Sequence, residues 1–199
     1  AFSRCSLSTV SVPSSVTSIG RGAFSKCSLL SSISIPSTIK SFESFIFSEC
    51  TSLSTISIPS SVTYIGDHCF SKCTLLTKIS IPSSVTSIGD HCFSECLSLT
   101  YVSIDSSAIT KIDDYTFFRC HLLNDIIFGS SVKSIGKYAF SECSSLYNIP
   151  SFFTLIDEFA FSKCSSLLDV SFTMPSVSIE KAAFYKCSSL SNVSFGSTV

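Results

Sequence analysis

Two tripeptides, Asp67-His68-Cys69 and Asp90-His91-Cys92, stand in adjacent stretches of the chain, and Asp113-Asp114 follows at the next equivalent point. Imidazole, thiolate and carboxylate are the ligand types of a transition-metal site. The reading weakens once orientation is considered. Cys69 and Cys92 occupy a position filled elsewhere by Ala23, Ala139, Ala160 and Ala183, a core position, whereas the histidines face outward. The groups then do not converge, so the expectation is no metal and no cofactor, with the aspartates acting as helix N-caps. Serine is abundant, but the three histidines lie on one outer ridge and offer no buried base to activate a nucleophile. No Gly-rich phosphate loop, His-Glu-x-x-His or Gly-x-Ser-x-Gly is present. These absences point away from an enzyme and toward a binding or structural protein.

The elements that would position these groups follow from a repeat. Cysteine recurs at Cys5, Cys27, Cys50, Cys73, Cys96, Cys120, Cys143, Cys164 and Cys187, in steps of 21 to 24 residues. A phenylalanine stands three positions before each one, from Phe2 and Phe24 to Phe161 and Phe184. An apolar residue, Ile65 or Ile88 for example, stands eight before, and a leucine such as Leu76 or Leu99 stands three after. A unit of this length cannot bury its apolar face alone, and stacking on its neighbours supplies the missing core. The period predicts a single array over residues 1–199 of about eight and a half coils, with the column Phe24, Phe47, Phe70, Phe93, Phe117, Phe140, Phe161 and Phe184 as its spine. The chain begins and stops within a repeat and shows no polar cap, so a fragment of a longer protein is expected.

Within each unit, Val10/Val12, Ile33/Ile35, Ile56/Ile58, Ile79/Ile81 and Val102/Ile104 alternate with polar residues, the pattern of a half-buried strand. Head-to-tail repetition makes the sheet parallel. Val-x-x-Ile-Gly, as at Val62 to Gly66, predicts a second short extended segment with a turn. The Asp-x-Cys/Ala-Phe-x-x-Cys stretch has the spacing of one turn of α- or 3-10 helix. The periodic cysteines form a column at about 4.8 Å spacing, with parallel Cβ vectors that suit a disulfide badly. Reduced, buried thiols are expected, Cys69 and Cys92 among them.

The Ile-Pro, Ile-Gly and Ala-Phe-x-x-Cys signature, repeated along essentially the whole chain, resembles the BspA-like leucine-rich repeats of the Treponema pallidum type. The resemblance implies a right-handed parallel leucine-rich-repeat solenoid, one strand per coil of about 23 residues, with short helical or 3-10 turns on the outer side. It also implies a surface protein of the sort found in host-associated bacteria, trichomonads and Entamoeba, with a part in adhesion. The localisation that follows is cell surface or secreted. The ligand would be a protein, such as a host extracellular-matrix or cell-surface protein, or a glycan. An intracellular, cytoplasmic scaffold with free thiols is the rival reading.

Net charge is −1, so no basic face speaks for nucleic acid. No apolar run approaches the roughly 20 residues of a membrane span. The residue before each cysteine alternates in sign from Lys26 through Glu49, Lys72, Glu95, Arg119 and Glu142 to Lys163, which predicts a surface ion-pair ladder that fixes register. Outward strand positions are mostly serine: Ser11, Ser34, Ser57, Ser80, Ser103, Ser171 and Ser194. The uniformity fails mid-array, at Lys78, Tyr101, Asp105, Asp125 and Ile127, with an extra residue near Ala108 expected to push a loop outward. A rigid amphipathic tyrosine beside an apolar patch with a charged rim is the anatomy of a docking site, and these five are the candidate ligand contacts. Asn192-Val193-Ser194 is a formal glycosylation sequon.

Overall fold

The computed structural model describes residues 1–196. The chain winds into a parallel β-solenoid in which each coil stacks on the one before it. Fourteen short strands, numbered along the chain, fall into two columns among the described residues. The first column carries the alternation read from the sequence: β1 (Thr9–Ser11), β2 (Ser32–Ser34), β5 (Lys78–Ile81), β7 (Tyr101–Ile104), β9 (Asp125–Ile127), β12 (Asp169–Phe172) and β14 (Asn192–Phe195). The second column is the short extended segment: β3 (Ser41–Phe42), β4 (Tyr64–Ile65), β6 (Ser87–Ile88), β8 (Lys111–Ile112), β10 (Ser134–Ile135), β11 (Leu155–Ile156) and β13 (Ser178–Ile179). All pairings are parallel and in register, so Lys78 lies opposite Tyr101 and Tyr101 opposite Asp125.

Neither column is continuous. The second breaks between β6 and β8, where the chain carries an extra residue at 105–109. The first breaks at 147–150, where the coil is two residues short and Pro150 falls inside the segment that would pair. It also breaks at 55–58, where a strand was expected. Nothing in the sequence separates Ile56-Ser57-Ile58-Pro59 from Ile79-Ser80-Ile81-Pro82, which does pair.

The expected outer helix is absent; the Cys-containing corner is a run of tight turns. Its backbone explains why. In the Cys73 coil His68 (φ 53°) and Lys72 (φ 61°) are left-handed, and equivalent residues repeat this in coil after coil. The N–H groups of His68, Phe70 and Lys72 donate forward to the carbonyls of Asp90, Cys92 and Ser94 at 2.9, 2.8 and 2.8 Å. Those of Cys69, Ser71 and Cys73 turn back three residues, to Gly66, His68 and Phe70. A helix would turn its donors back along its own coil once past the first turn, and would not send every second one to the neighbour. Alternation leaves every second donor for the neighbour and adds a third hydrogen-bonded seam to the stack.

The core is the predicted spine. Phe24 through Phe161 are buried and stacked, with ring centroids 5.2 to 5.8 Å apart, and Phe184 continues the stack, partly buried, in the last described coil. Phe42, which replaces isoleucine, meets Phe47 and Phe70 edge-on. Every buried side-chain nitrogen and oxygen among the described residues has a hydrogen-bond partner.

Candidate ligand-facing surface

The central block of the first column, β5-β7-β9, presents the five candidate residues. Lys78, Tyr101 and Asp125 form one row across the three strands. One row further along, Ser80, Ser103 and Ile127 lie side by side, and Ser103 Oγ donates to Ser80 Oγ at 3.1 Å. Ile127 is 51% exposed, Tyr101 is half-buried, and Lys78, Asp105 and Asp125 are exposed. A shallow cavity of about 420 Å³ opens where 55–58 fails to pair with β5; Thr55, Ser57, Lys78, Tyr101 and Asp105 line it. Asp125 and Ile127 lie on the far side of Tyr101 and outside this cavity. The extra residue near Ala108 exposes Ser107 and Ala108, while Ser106 turns inward and is fully buried, its hydroxyl donating to the Val85 carbonyl.

The aspartate and histidine tripeptides take different roles from those expected. With no helix to cap, Asp67 Oδ1 accepts the backbone N–H of Asp90 (3.2 Å), Asp90 Oδ1 that of Asp114 (3.1 Å), and Asp114 Oδ1 that of Lys137 (3.0 Å). Each carboxylate caps the next coil. The histidines are not simply solvated. Phe45, His68, His91, Tyr115, Tyr138 and Phe159 stack face to face, with centroids 4.5 to 4.9 Å apart, and the Arg21 guanidinium covers the Phe45 ring at 4.8 Å. Burial within this stack lowers the pKa of both histidines; the neighbouring His91 adds to the shift at His68, whereas Asp90 and Asp114 oppose it at His91. The signal was present in the sequence, since all six rings stand five positions before a repeat cysteine. The ion-pair ladder is real but broken into two pairs and a triad. Lys26 meets Glu49 (3.4 Å) and Lys72 meets Glu95 (3.9 Å), while Glu142 holds Arg119 (3.0 Å) and Lys163 (2.6 Å).

The model of the BspA type leucine-rich repeat region matches the chain over residues 1–121 and 105–199, in six copies. The chain belongs to this BspA-type family. Among solved structures it is similar to a leucine-rich repeat protein from Bacteroides ovatus, 30% identical, with a TM-score of 0.73 over 96% of this chain and 56% of that one. The T. pallidum leucine-rich repeat protein is 32% identical, with a TM-score of 0.70 over 74% of this chain and 69% of that one. A leucine-rich cell surface protein from Faecalibacterium prausnitzii is 27% identical, with a TM-score of 0.56 over 96% of this chain and 60% of that one. The chain therefore spans a little over half the length of the Bacteroides protein. No curated protein matches it.

In this BspA-type array the signature cysteine has a specific job. The Phe70 carbonyl accepts the Cys73 N–H within its coil and the Cys96 thiol from the next, both at 3.1 Å. Each of the eight periodic thiols from Cys27 to Cys187 makes this bond to the corresponding Phe carbonyl at 3.0 to 3.2 Å. All eleven cysteines are unpaired. Burial pushes the Cys50 and Cys96 pKa values up to about 12, so these thiols are donors rather than nucleophiles. Cys69 and Cys92 are buried inside the coil while His68 and His91 stack outside it, and no group of three or more ligating side chains converges among the described residues. Among the described residues no helix is long and apolar enough to cross a membrane.

Proposed function

We propose that this chain is a non-catalytic recognition module that docks a protein or glycan ligand on the β5-β7-β9 face and serves adhesion at a cell surface. The carrying observation is the change in that face. Where the preceding coils present Thr9, Ser32 and Thr55, three consecutive strands set Tyr101 between Lys78 and Asp125, and Ile127 stands half out of the surface in the row of Ser80 and Ser103, with a cavity beside Tyr101. An apolar anchor, a tyrosine and a rim of both charge signs suit a docking site. The surface assignment draws support from the similarity to the F. prausnitzii cell surface protein. An intracellular scaffold would use the same face, and surface labelling of intact cells separates the two.

The binding test uses a panel of immobilised extracellular-matrix proteins and a glycan array, with wild type beside Tyr101→Ala/Ile127→Ser. The expected result is a ligand whose affinity drops at least about tenfold in the double variant, with an unchanged melting temperature. Equal binding by both proteins would remove the site.

A further inference from the structure

The corner that carries the ion pairs is corrugated with a period of two coils. Two positions after the repeat cysteine the chain reads Leu29, Ser52, Leu75, Ser98, Leu122 and Ser145. The leucines protrude, at 55, 52 and 50% exposed, and the serines between them are half-buried. The charges follow the same alternation. Lys26, Lys72 and Arg119 stand in the leucine coils and Glu49, Glu95 and Glu142 in the serine coils, the carboxylates being less exposed than the cations, markedly so only at Glu142. The repeat of this ridge at the second position after the cysteine is therefore a pair of coils, one offering a cation and an apolar knob and the next an anion and a serine, with the exposed Leu97 beside Ser98 as a further apolar contact at the centre. Three large apolar side chains kept half exposed at a fixed interval are not required by the core, because the serine coils pack the same core without them.

We propose that this ridge is a self-association surface on which a second copy of the chain docks about a twofold axis passing between the Cys73 and Cys96 coils. The axis turns coil order around, so the first of the six coils faces the sixth, the second the fifth and the third the fourth. Each leucine then meets a serine: Leu29 faces Ser145, Leu75 faces Ser98 and Leu122 faces Ser52 of the second copy. Each cation likewise meets an anion, Lys26 with Glu142, Lys72 with Glu95 and Arg119 with Glu49. An even-numbered alternation is what allows one patch to be its own complement, as an isologous interface demands. A parallel arrangement shifted by one coil also matches leucines to serines, but it leaves unmatched coils at both ends and does not close. Six coils at about 4.8 Å each make a ridge roughly 25–30 Å long, the size of a weak, reversible contact rather than an obligate dimer. This inference is independent of the ligand-facing surface, which lies on the strand column and not on this corner.

The test is sedimentation velocity from low micromolar to roughly 500 µM protein, a range that captures weak association. The wild type is expected to shift from monomer toward dimer with concentration, and less so in high salt. Leu29→Ser/Leu75→Ser/Leu122→Ser should weaken the association at least about tenfold with an unchanged melting temperature, because serine already stands at this position in alternate coils. Orientation is read from Leu29→Cys/Ser145→Cys under mild oxidation with oxidised glutathione. The two positions are five coils apart in one chain, about 24 Å, beyond the reach of an internal disulfide, but face each other across the proposed axis. A covalent dimer in this variant and not in wild type supports the geometry. Its absence, a concentration-independent monomer, or a dimer indifferent to the triple substitution overturns the proposal.

Discussion

His68 and His91 contribute to the fold as neutral rings. Each is clamped in a stack whose other members, Phe45, Tyr115, Tyr138 and Phe159, are uncharged, and protonating two imidazoles 4.5 Å apart sets two cations face to face. Their folded pKa values lie below the ordinary 6.5, so between those values and 6.5 the unfolded chain binds more protons than the native one. Stability therefore rises with pH across that window. The contribution is complete above about pH 6.5 and is lost as the pH falls through the lowered folded values. Glu142, held low by hydrogen bonds from Lys163 and Arg119, acts in the same direction but in a more acidic window, below the ordinary 4.5. His68→Phe/His91→Phe keeps the stack, since phenylalanine already fills this position in other coils. Urea titrations at pH 7.5, 6.5 and 5.5 should show wild type losing stability on acidification and the double variant losing clearly less. Parallel profiles would mean that the histidines are ordinary solvated side chains. The sequence made the ring column readable by position but not its stacking, because the stack depends on the left-handed backbone at each ring residue.

At the scale of elements, the phenylalanine spine and the first strand column were legible because each rests on a local period that any coil displays by itself. The corner was not. Asp-x-Cys-Phe-x-x-Cys has helical spacing, but the same spacing fits consecutive tight turns, and the choice is made by hydrogen bonds to the next coil, which no single unit shows. The glycine after the second strand makes the same point. Gly66 does not need a positive φ; it needs the absence of a side chain, because a Cβ there would stand 2.6 Å from the Ser44 nitrogen of the preceding coil. At Gly20 a Cβ would meet nothing within 4 Å. Gly66→Ala should thus cost about 1–3 kcal/mol, as overpacking does. Gly20→Ala should be neutral or slightly stabilising, by up to about 1 kcal/mol, through the unfolded chain. Equal effects in thermal or urea unfolding would show that coil approach is not what the glycine serves.

For the whole molecule, the alternation of charge sign from Lys26 to Lys163 makes this part of the array a stack of double units rather than of identical coils. A linear array has a stability close to the sum of its units and their nearest-neighbour contacts, so excision tests the unit directly. Deleting 51–96 removes two coils and joins Cys50 to Leu97. Glu49 then precedes Arg119, and the alternation of sign survives. Deleting 74–96 removes one coil through the same downstream junction, but sets Lys72 beside Arg119. Both deletions lose the Lys72–Glu95 pair. Both keep a ring next to Tyr115, Phe45 in one case and His68 in the other, and both keep the phenylalanine spine continuous. They differ at this corner in the like-charged contact, worth about 0.2–1 kcal/mol at an exposed site. They also differ in the group left to cap Asp114, Asp67 in the one-coil deletion and Ser44 in the two-coil deletion, so the salt-dependent part of the difference is the one that reports the charges. The one-coil deletion should consequently lose more stability per coil removed than the two-coil deletion, and the excess should shrink as salt screens the repulsion. The urea m-value should fall by about a quarter in the two-coil deletion and about an eighth in the other, following the surface buried per coil. Equal loss per coil at low salt would mean that the array counts in single coils and that its charge alternation carries no energetic register.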